Sequence, residues 1–292
     1  MESVKETAQR LDKQRNSPRI QVYILLGIFA AALILIIMRQ LPMAIIAFLA
    51  GICLYFIRIR PESQAYSDAV AAANLRYGLT GLQDMTYQGK DAALSNEIPA
   101  LQMFPMRKSG SVMAVQAITA QGNGYRLRAC EMAQNYEVPS SARKDIRFLT
   151  GTFFRAQQAH RTYPSILLLR TELLHPSVQD AFLGEHGYAP AACRGDLSEN
   201  WLCWSQGDST VPDAFWDAFA ALGKKADRLA AVRLQGDTAA IYLDRRFYTG
   251  KTSLSVLPTP EQLSTCPLAE WPDIASFLEA LPRIFAAPDT AA

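Results

Sequence analysis

Histidine is nearly absent from this chain: His160, His175 and His186 are the only three in 292 residues. Proton transfer near neutral pH therefore has few candidates. Cysteine is sparse too. Cys53, Cys130, Cys193, Cys203 and Cys266 are odd in number and widely spread, which argues against a disulfide framework and fits free thiols in a reducing compartment. No C-x-x-C pair and no H-x-x-x-H step presents two metal ligands together, and no D-x-D pair is present to hold magnesium. A phosphate-cradling glycine loop is missing as well, because Gly122-Asn123-Gly124 falls where a hairpin turn is expected, not between a strand and a helix. Excess positive charge is lacking where a nucleic-acid binder would need it. Residues 1–60 carry eight Lys/Arg and three Asp/Glu, whereas the rest of the chain has 21 and 24. The basic end is thus the N-terminal end, and the larger part has no surplus with which to neutralise phosphates.

What the chain does have is a long apolar stretch. Ile20–Met38 runs without a charge, Arg39-Gln40 interrupts it, and a second run extends from Leu41 to Ile57 before Arg58 and Arg60. Each is about long enough to cross a bilayer core as a helix, the form in which a segment satisfies its own backbone hydrogen bonds in lipid. The short connection imposes an antiparallel hairpin, and Pro42 suits the first turn of its second helix. Gly27 and Ala31, then Ala47 and Gly51, place small residues at four-residue spacing, which either lets the two helices approach closely or reflects only how common Gly and Ala are in membrane helices. A signal peptide would have a shorter apolar region and no second run behind it. Lys5, Arg10, Lys13, Arg15 and Arg19 precede the first run, Arg58 and Arg60 follow the second, and the turn has Arg39 alone. Cations stay on the cytoplasmic side, so both termini are expected there.

The domain organisation expected is a basic cytoplasmic tail over residues 1–19, a transmembrane hairpin over 20–60 (spans 20–38 and 41–57), and a cytoplasmic domain over 61–292. Tyr66, Val70, Ala73 and Leu75 are spaced for a helix over Ser63–Tyr77, set off from the second span by a break at Pro61. Residues 79–110, punctuated by Gly81, Gly89, Pro99 and Pro105, read as strand fragments and loops. Strands are expected at 112–121 and 125–135 across the Asn-Gly turn, then at 145–157, 163–174 and 200–205. Gly151 within one of them marks a bulge or a close backbone approach. Residues 175–200 read as an irregular excursion, 213–222 as a helix ended by Gly223, 229–234 and 239–243 as a hairpin, and 272–285 as a terminal helix. Together these make an α+β protein: an N-terminal helical hairpin, then a mainly antiparallel sheet with flanking helices.

Few side chains invite chemistry. His175, His186, Cys193 and Cys203 fall within one stretch and have a zinc-compatible ligand set, without the short spacing such sites use. Cys193 or Cys203 with His160 or His186 would make a nucleophile–base pair, yet nothing local lowers a thiol pKa. Arg126, Arg128, Arg155 and Arg161 form either a basic stripe toward an anionic partner or ordinary solvent-facing cations, and the second is the default on strands. Trp201, Trp204 and Trp216 form either a stacking platform or core packing, again with the second as default.

Leu149-Thr150-Gly151-Thr152-Phe153, Ile166–Arg170, Trp201-Leu202-Cys203-Trp204-Ser205 and the Leu234-Gln235-Gly236-Asp237 hairpin follow the two apolar runs in this order. Over about residues 65–250 this resembles the uncharacterised bacterial membrane family catalogued as domain of unknown function 3137, with Leu149 where the family has phenylalanine. The resemblance implies a multi-pass protein of the bacterial inner membrane and carries over no catalytic residue. The expectation is a membrane-anchored, non-enzymatic binding or scaffold module. It would contact the bilayer through residues 20–57 and meet a protein or anionic lipid partner, with no catalytic, cofactor or metal residue assigned and no nucleic acid. The competing readings are a membrane-bound enzyme built from dispersed Cys and His residues, and a subunit of a larger membrane complex.

Overall fold

A computed structural model describes residues 3–106, 110–138, 145–159, 161–194, 197–207, 210–246 and 258–286. The chain forms two compact units, residues 1–79 with 249–267, and residues 80–248 with 268–292.

The first unit begins with α1 (Val4–Ile37), whose start is a capping box: Glu6 N–H donates to Ser3 Oγ at 3.2 Å, and Ser3 N–H donates to Glu6 Oε2 at 2.7 Å. The stretch expected as a polar tail is thus the first half of a 34-residue helix continuous with the first apolar run. The cause is tertiary. Ala8 and Leu11 are buried against Tyr66, Val70, Ala73 and Leu263, while the cations that dominate the composition of this stretch lie elsewhere on the helix. After a turn in which Arg39 adopts φ 57°, α2 (Leu41–Leu54) begins with Pro42 in its first turn. No break occurs at Pro61. A π-helical turn, Tyr55–Ile59, leads directly into α3 (Arg60–Gly78). Proline has no N–H to give and crowds the carbonyl four residues back, and a wider turn just before it lets the helix continue. The short helix Pro260–Ser264 packs on α3, where the Asn74 amide donates to the carbonyls of Gln262 and Thr265 at 3.0 and 3.3 Å.

Small residues do pack the hairpin, though not all the expected ones. A Cβ on Gly51 would lie 2.7 Å from the Phe29 ring, and Ala32 and Ala44 are buried; a Cβ on Gly27 would meet nothing within 4 Å, and Ala31 is exposed. The large apolar side chains from Ile20 to Ile57 point outward for the most part, as in Ile37 at 73% and Ile57 at 74% exposure. Two helices are therefore long and apolar enough to cross a membrane, and neither hides its apolar surface in a core.

The second unit is built on a nine-stranded antiparallel sheet. Its strands are β1 (Gln83–Lys90), β2 (Met113–Gln121), β3 (Arg126–Val138), β4 (Asp145–Gln157), β5 (Tyr163–Arg170), β6 (Ala189–Pro190), β7 (Trp201–Ser205), β8 (Leu229–Gly236) and β9 (Thr238–Leu243), in the spatial order 1-2-3-4-9-8-5-7-6. β3 and β4 pair over their whole length in one unbroken register, Arg126 opposite Gln157 and Val138 opposite Asp145. Gly151 marks a close approach and not a bulge: a Cβ there would sit 2.1 Å from the Leu243 carbonyl oxygen of β9.

Helices cover both faces. On one, α4 (Ala92–Ala100) and α5 (Pro176–Glu185) bury Leu94, Ile98, Phe182 and Leu183 against Cys130, Met132, Phe153, Leu167 and Tyr242. On the other, α6 (Asp213–Lys225) and α7 (Trp271–Ile284) bring aromatics to the sheet: Trp271 stacks on Phe154 at 5.8 Å between centroids, and Phe219 meets Trp201 at 4.8 Å. Three local expectations change. α4 lies in the stretch read as strands and loops, α5 lies in the stretch read as irregular, and Gly223 is inside α6 rather than at its end. Helices of nine and ten residues span under three turns, too short for an apolar period to stand out.

Candidate functional site

Asp91 caps α4, its Oδ1 accepting from Leu94 N–H at 2.9 Å. This fixes two carboxylates over the sheet, Asp91 at the helix start and Glu97 within it. Beneath them, Arg128 of β3 and Arg155 of β4 are direct cross-strand partners. Arg128 Nη2 donates to Asp91 Oδ2 at 2.7 Å and Nη1 to Glu97 Oε1 at 2.6 Å, while Arg155 Nη1 donates to Glu97 Oε2 at 2.5 Å. Burial pushes the Asp91 carboxyl upward, but the Leu94 N–H and the Arg128 guanidinium outweigh it and hold the group below its ordinary value. Arg128 is likewise kept charged by both acids against the effect of burial.

One same-face step along the hairpin stand Arg126 and Gln157, again paired across the strands. Glu97, Arg126, Arg128, Arg155 and Gln157 line a cavity of about 170 Å³. It adjoins a wider groove of about 530 Å³ past the β2–β3 turn, with Arg126 and Gln157 common to both. Three guanidinium groups thus face two carboxylates. Arg126 forms no ion pair among the described residues, and Arg155 Nε is buried without a hydrogen-bond partner. Such a pocket has donors and positive charge to spare for a carboxylate or phosphate, which guanidinium groups recognise in bidentate fashion. Its lining of three guanidinium groups, a carboxylate and an amide suits the binding of an anion.

Of the four arginines grouped from the sequence, Arg126, Arg128 and Arg155 come together, and Arg161 does not line the cavity. Asp91 and Glu97 were not singled out. Asp91 ahead of Ala92-Ala93-Leu94 is a capping pattern that would have located α4. The zinc-compatible set separates. His175 and His186 stand at opposite ends of α5, about 16 Å apart at the rise of an α-helix, and no group of three potential ligands occurs among the described residues. His175 Nδ1 is 2.8 Å from Ser177 Oγ, and the His186 ring packs on Phe182. Glu172 and His175 have E-x-x-H spacing, but they lie in the turn before α5 and at its N-cap, not on a helix face. Burial pushes the Cys203 thiol up to about 12, far from a nucleophile's range. His160 lies outside the described residues. Trp201 and Trp204 point to opposite faces of β7, and Trp216 packs against Phe215, so the three tryptophans share no platform.

No family model matches the chain, and no curated protein matches it in sequence. Among solved structures the chain is similar to the crystal structure of the mycobacterial trehalose monomycolate transport factor A, TtfA. The identity is 10% and the TM-score 0.36, over 75% of this chain and 98% of that one.

Proposed function

We propose that the protein is a membrane-anchored, non-enzymatic binding module that receives a carboxylate-bearing segment of a protein partner in the pocket of Arg126, Arg128 and Arg155. The observation that carries this reading is the charge inventory of the pocket: Arg126, without an ion pair among the described residues, beside two arginines that share Glu97. Glu97 already occupies these guanidinium groups as a partner's acidic side chain would. Anchoring rests on the outward-facing apolar surface of α1 and α2, and placement of both termini in the cytoplasm rests on the cations that flank the two runs. The resemblance over residues 65–250 belongs to the same reading and supports a bacterial inner membrane as the one it is anchored in.

The test is site-specific photo-crosslinking in cells, with a photoreactive residue in place of Gln121 at the rim of the groove. One protein adduct of discrete mass, lost when Arg126→Glu is added, is the expected result. Adducts to lipid alone, or a protein adduct indifferent to Arg126→Glu, would overturn the reading. Topology is read separately by labelling Arg39→Cys with a membrane-impermeant maleimide, in a background without the five native cysteines. Labelling from the outer side is expected.

A further inference from the structure

The groove beside the arginine pocket crosses the ends of neighbouring strands. Gln121 of β2 is opposite Arg126 of β3, Arg126 is opposite Gln157 of β4, and Gln157 is opposite Thr238 of β9. Gln121, Arg126 and Gln157 line the groove, and Asp237, in the turn just before β9, lines it on the β9 side. On the β2 side the floor is ring and backbone, because the Tyr125 ring packs on Gly122 so closely that a Cβ there would lie 2.2 Å from it. Arg126 and Gln157 are common to groove and pocket, so the pocket opens from the middle of the groove and not from its end. A segment that inserts an acidic side chain there has chain on both sides, and one arm passes Asp237.

Asp237 supplies the opposite charge. Its Oδ2 accepts from Gln157 Nε2 at 2.7 Å and its Oδ1 from Thr238 Oγ1 at 3.0 Å. Both donors are neutral, so they hold the carboxylate in place without offsetting its charge, and the residue is partly exposed. Spacing then links the two points. The mouth of the pocket lies between Arg126 of β3 and Gln157 of β4, and Asp237 adjoins the next strand over. One and a half strand spacings separate them, about 7 Å. Side chains on one side of an extended chain repeat every second residue, also about 7 Å.

We propose that the groove binds its partner segment in extended form and reads two of its side chains: an acidic one in the arginine pocket and, two residues away, a basic one against Asp237. This rests on the pocket reading above and adds Asp237 as the residue that selects among acidic segments. A segment with acids at both positions is disfavoured, because like charges then meet at Asp237.

The test is selection of phage-displayed random heptapeptides on the full-length protein in mild detergent, with Arg126→Glu as the counter-selection. Asp and Glu are expected to be enriched on the wild type. Two positions away, Lys and Arg are expected at about three to five times their library frequency, the range of a partly exposed ion pair. On Asp237→Lys the preference at that second position should turn to Asp and Glu. Acidic peptides without a cation preference, or with the same preference on Asp237→Lys, would overturn this inference and leave the arginine pocket standing. Equal enrichment of acids on wild type and Arg126→Glu would sink the pocket and this inference with it. Should Asp237→Lys fail to fold, Asp237→Asn takes its place, and the cation preference is expected to disappear on it.

Discussion

Arg128 and Arg155 sit directly opposite one another on β3 and β4, and the Glu97 carboxylate lies between their guanidinium groups at 2.6 and 2.5 Å. Two like charges so placed repel, and the shared acid turns the repulsion into a bridge. Glu97→Gln should therefore lower the unfolding free energy by about 1–2 kcal/mol, between the values typical of exposed and buried pairs, because Glu97 is itself partly exposed. The same change should tighten binding of an acidic peptide, since the internal competitor is gone. Urea denaturation and peptide titration of one purified variant measure both effects, and a loss of binding would count against the pocket.

Asp91 links helix capping to acid stability. Its folded-state pKa lies below the ordinary carboxyl value, so its contribution is complete above about pH 4 and is lost as pH falls through the folded value. Asp91→Ala should cost about 2 kcal/mol at pH 7, through the lost cap and the unpaired Arg128. Below pH 4 the wild type should lose stability more steeply than the variant, so their urea midpoints converge on acidification. Parallel curves would show that Asp91 is not the group responsible.

Gly151 and Gly223 make a contrasting pair. The Leu243 carbonyl occupies the space a Cβ would need at Gly151, and backbone cannot move aside cheaply, so Gly151→Ala should destabilise by about 3 kcal/mol. A Cβ on Gly223 meets nothing within 4 Å inside α6, so Gly223→Ala should stabilise by about 0.5–1 kcal/mol. Thermal melts of the two variants check the opposite signs.

In the helical hairpin, Gly51 is close-packed on Phe29 and Gly27 is not. Gly51→Leu should weaken the α1–α2 pairing by about 1–3 kcal/mol, whereas Gly27→Leu should leave it unchanged. The fraction of dodecyl sulfate at which full-length protein in mixed micelles loses its hairpin reports this. Equal shifts would show that packing at Gly51 does not hold the pair.

Elements with strong local signals were legible from the residues. The Asn-Gly turn placed β2 and β3: Gly122 N–H donates to the Tyr125 carbonyl at 2.8 Å, and Gly124 takes φ 84°. β4, β7 and the β8–β9 hairpin fell where alternation and turn residues put them, and α7 followed its apolar stripe. α4 and α5 escaped because short helices beside proline and glycine have little period to read. The candidate site was half visible, since three of its arginines were noticed and its two acids were not.

By itself the sequence determined what local chemistry can dictate: two apolar runs long enough to cross a bilayer as helices, and antiparallel strands joined by tight turns. Tertiary structure alone decided the relations between distant residues. Arg128 and Arg155 are 27 positions apart and meet only because β3 and β4 share one register, while α4 brings Glu97 down between them. Residues 4–19 are helical because the burial of Leu11 against Tyr66 outweighs their polar composition. Arg233 falls on a strand that any periodicity would bury, and only the packed fold sets its guanidinium against Ser165, Gln206 and the Tyr188 ring. Local pattern sets which backbone state each segment prefers, and long-range packing sets which side chains share a dielectric and a counter-charge.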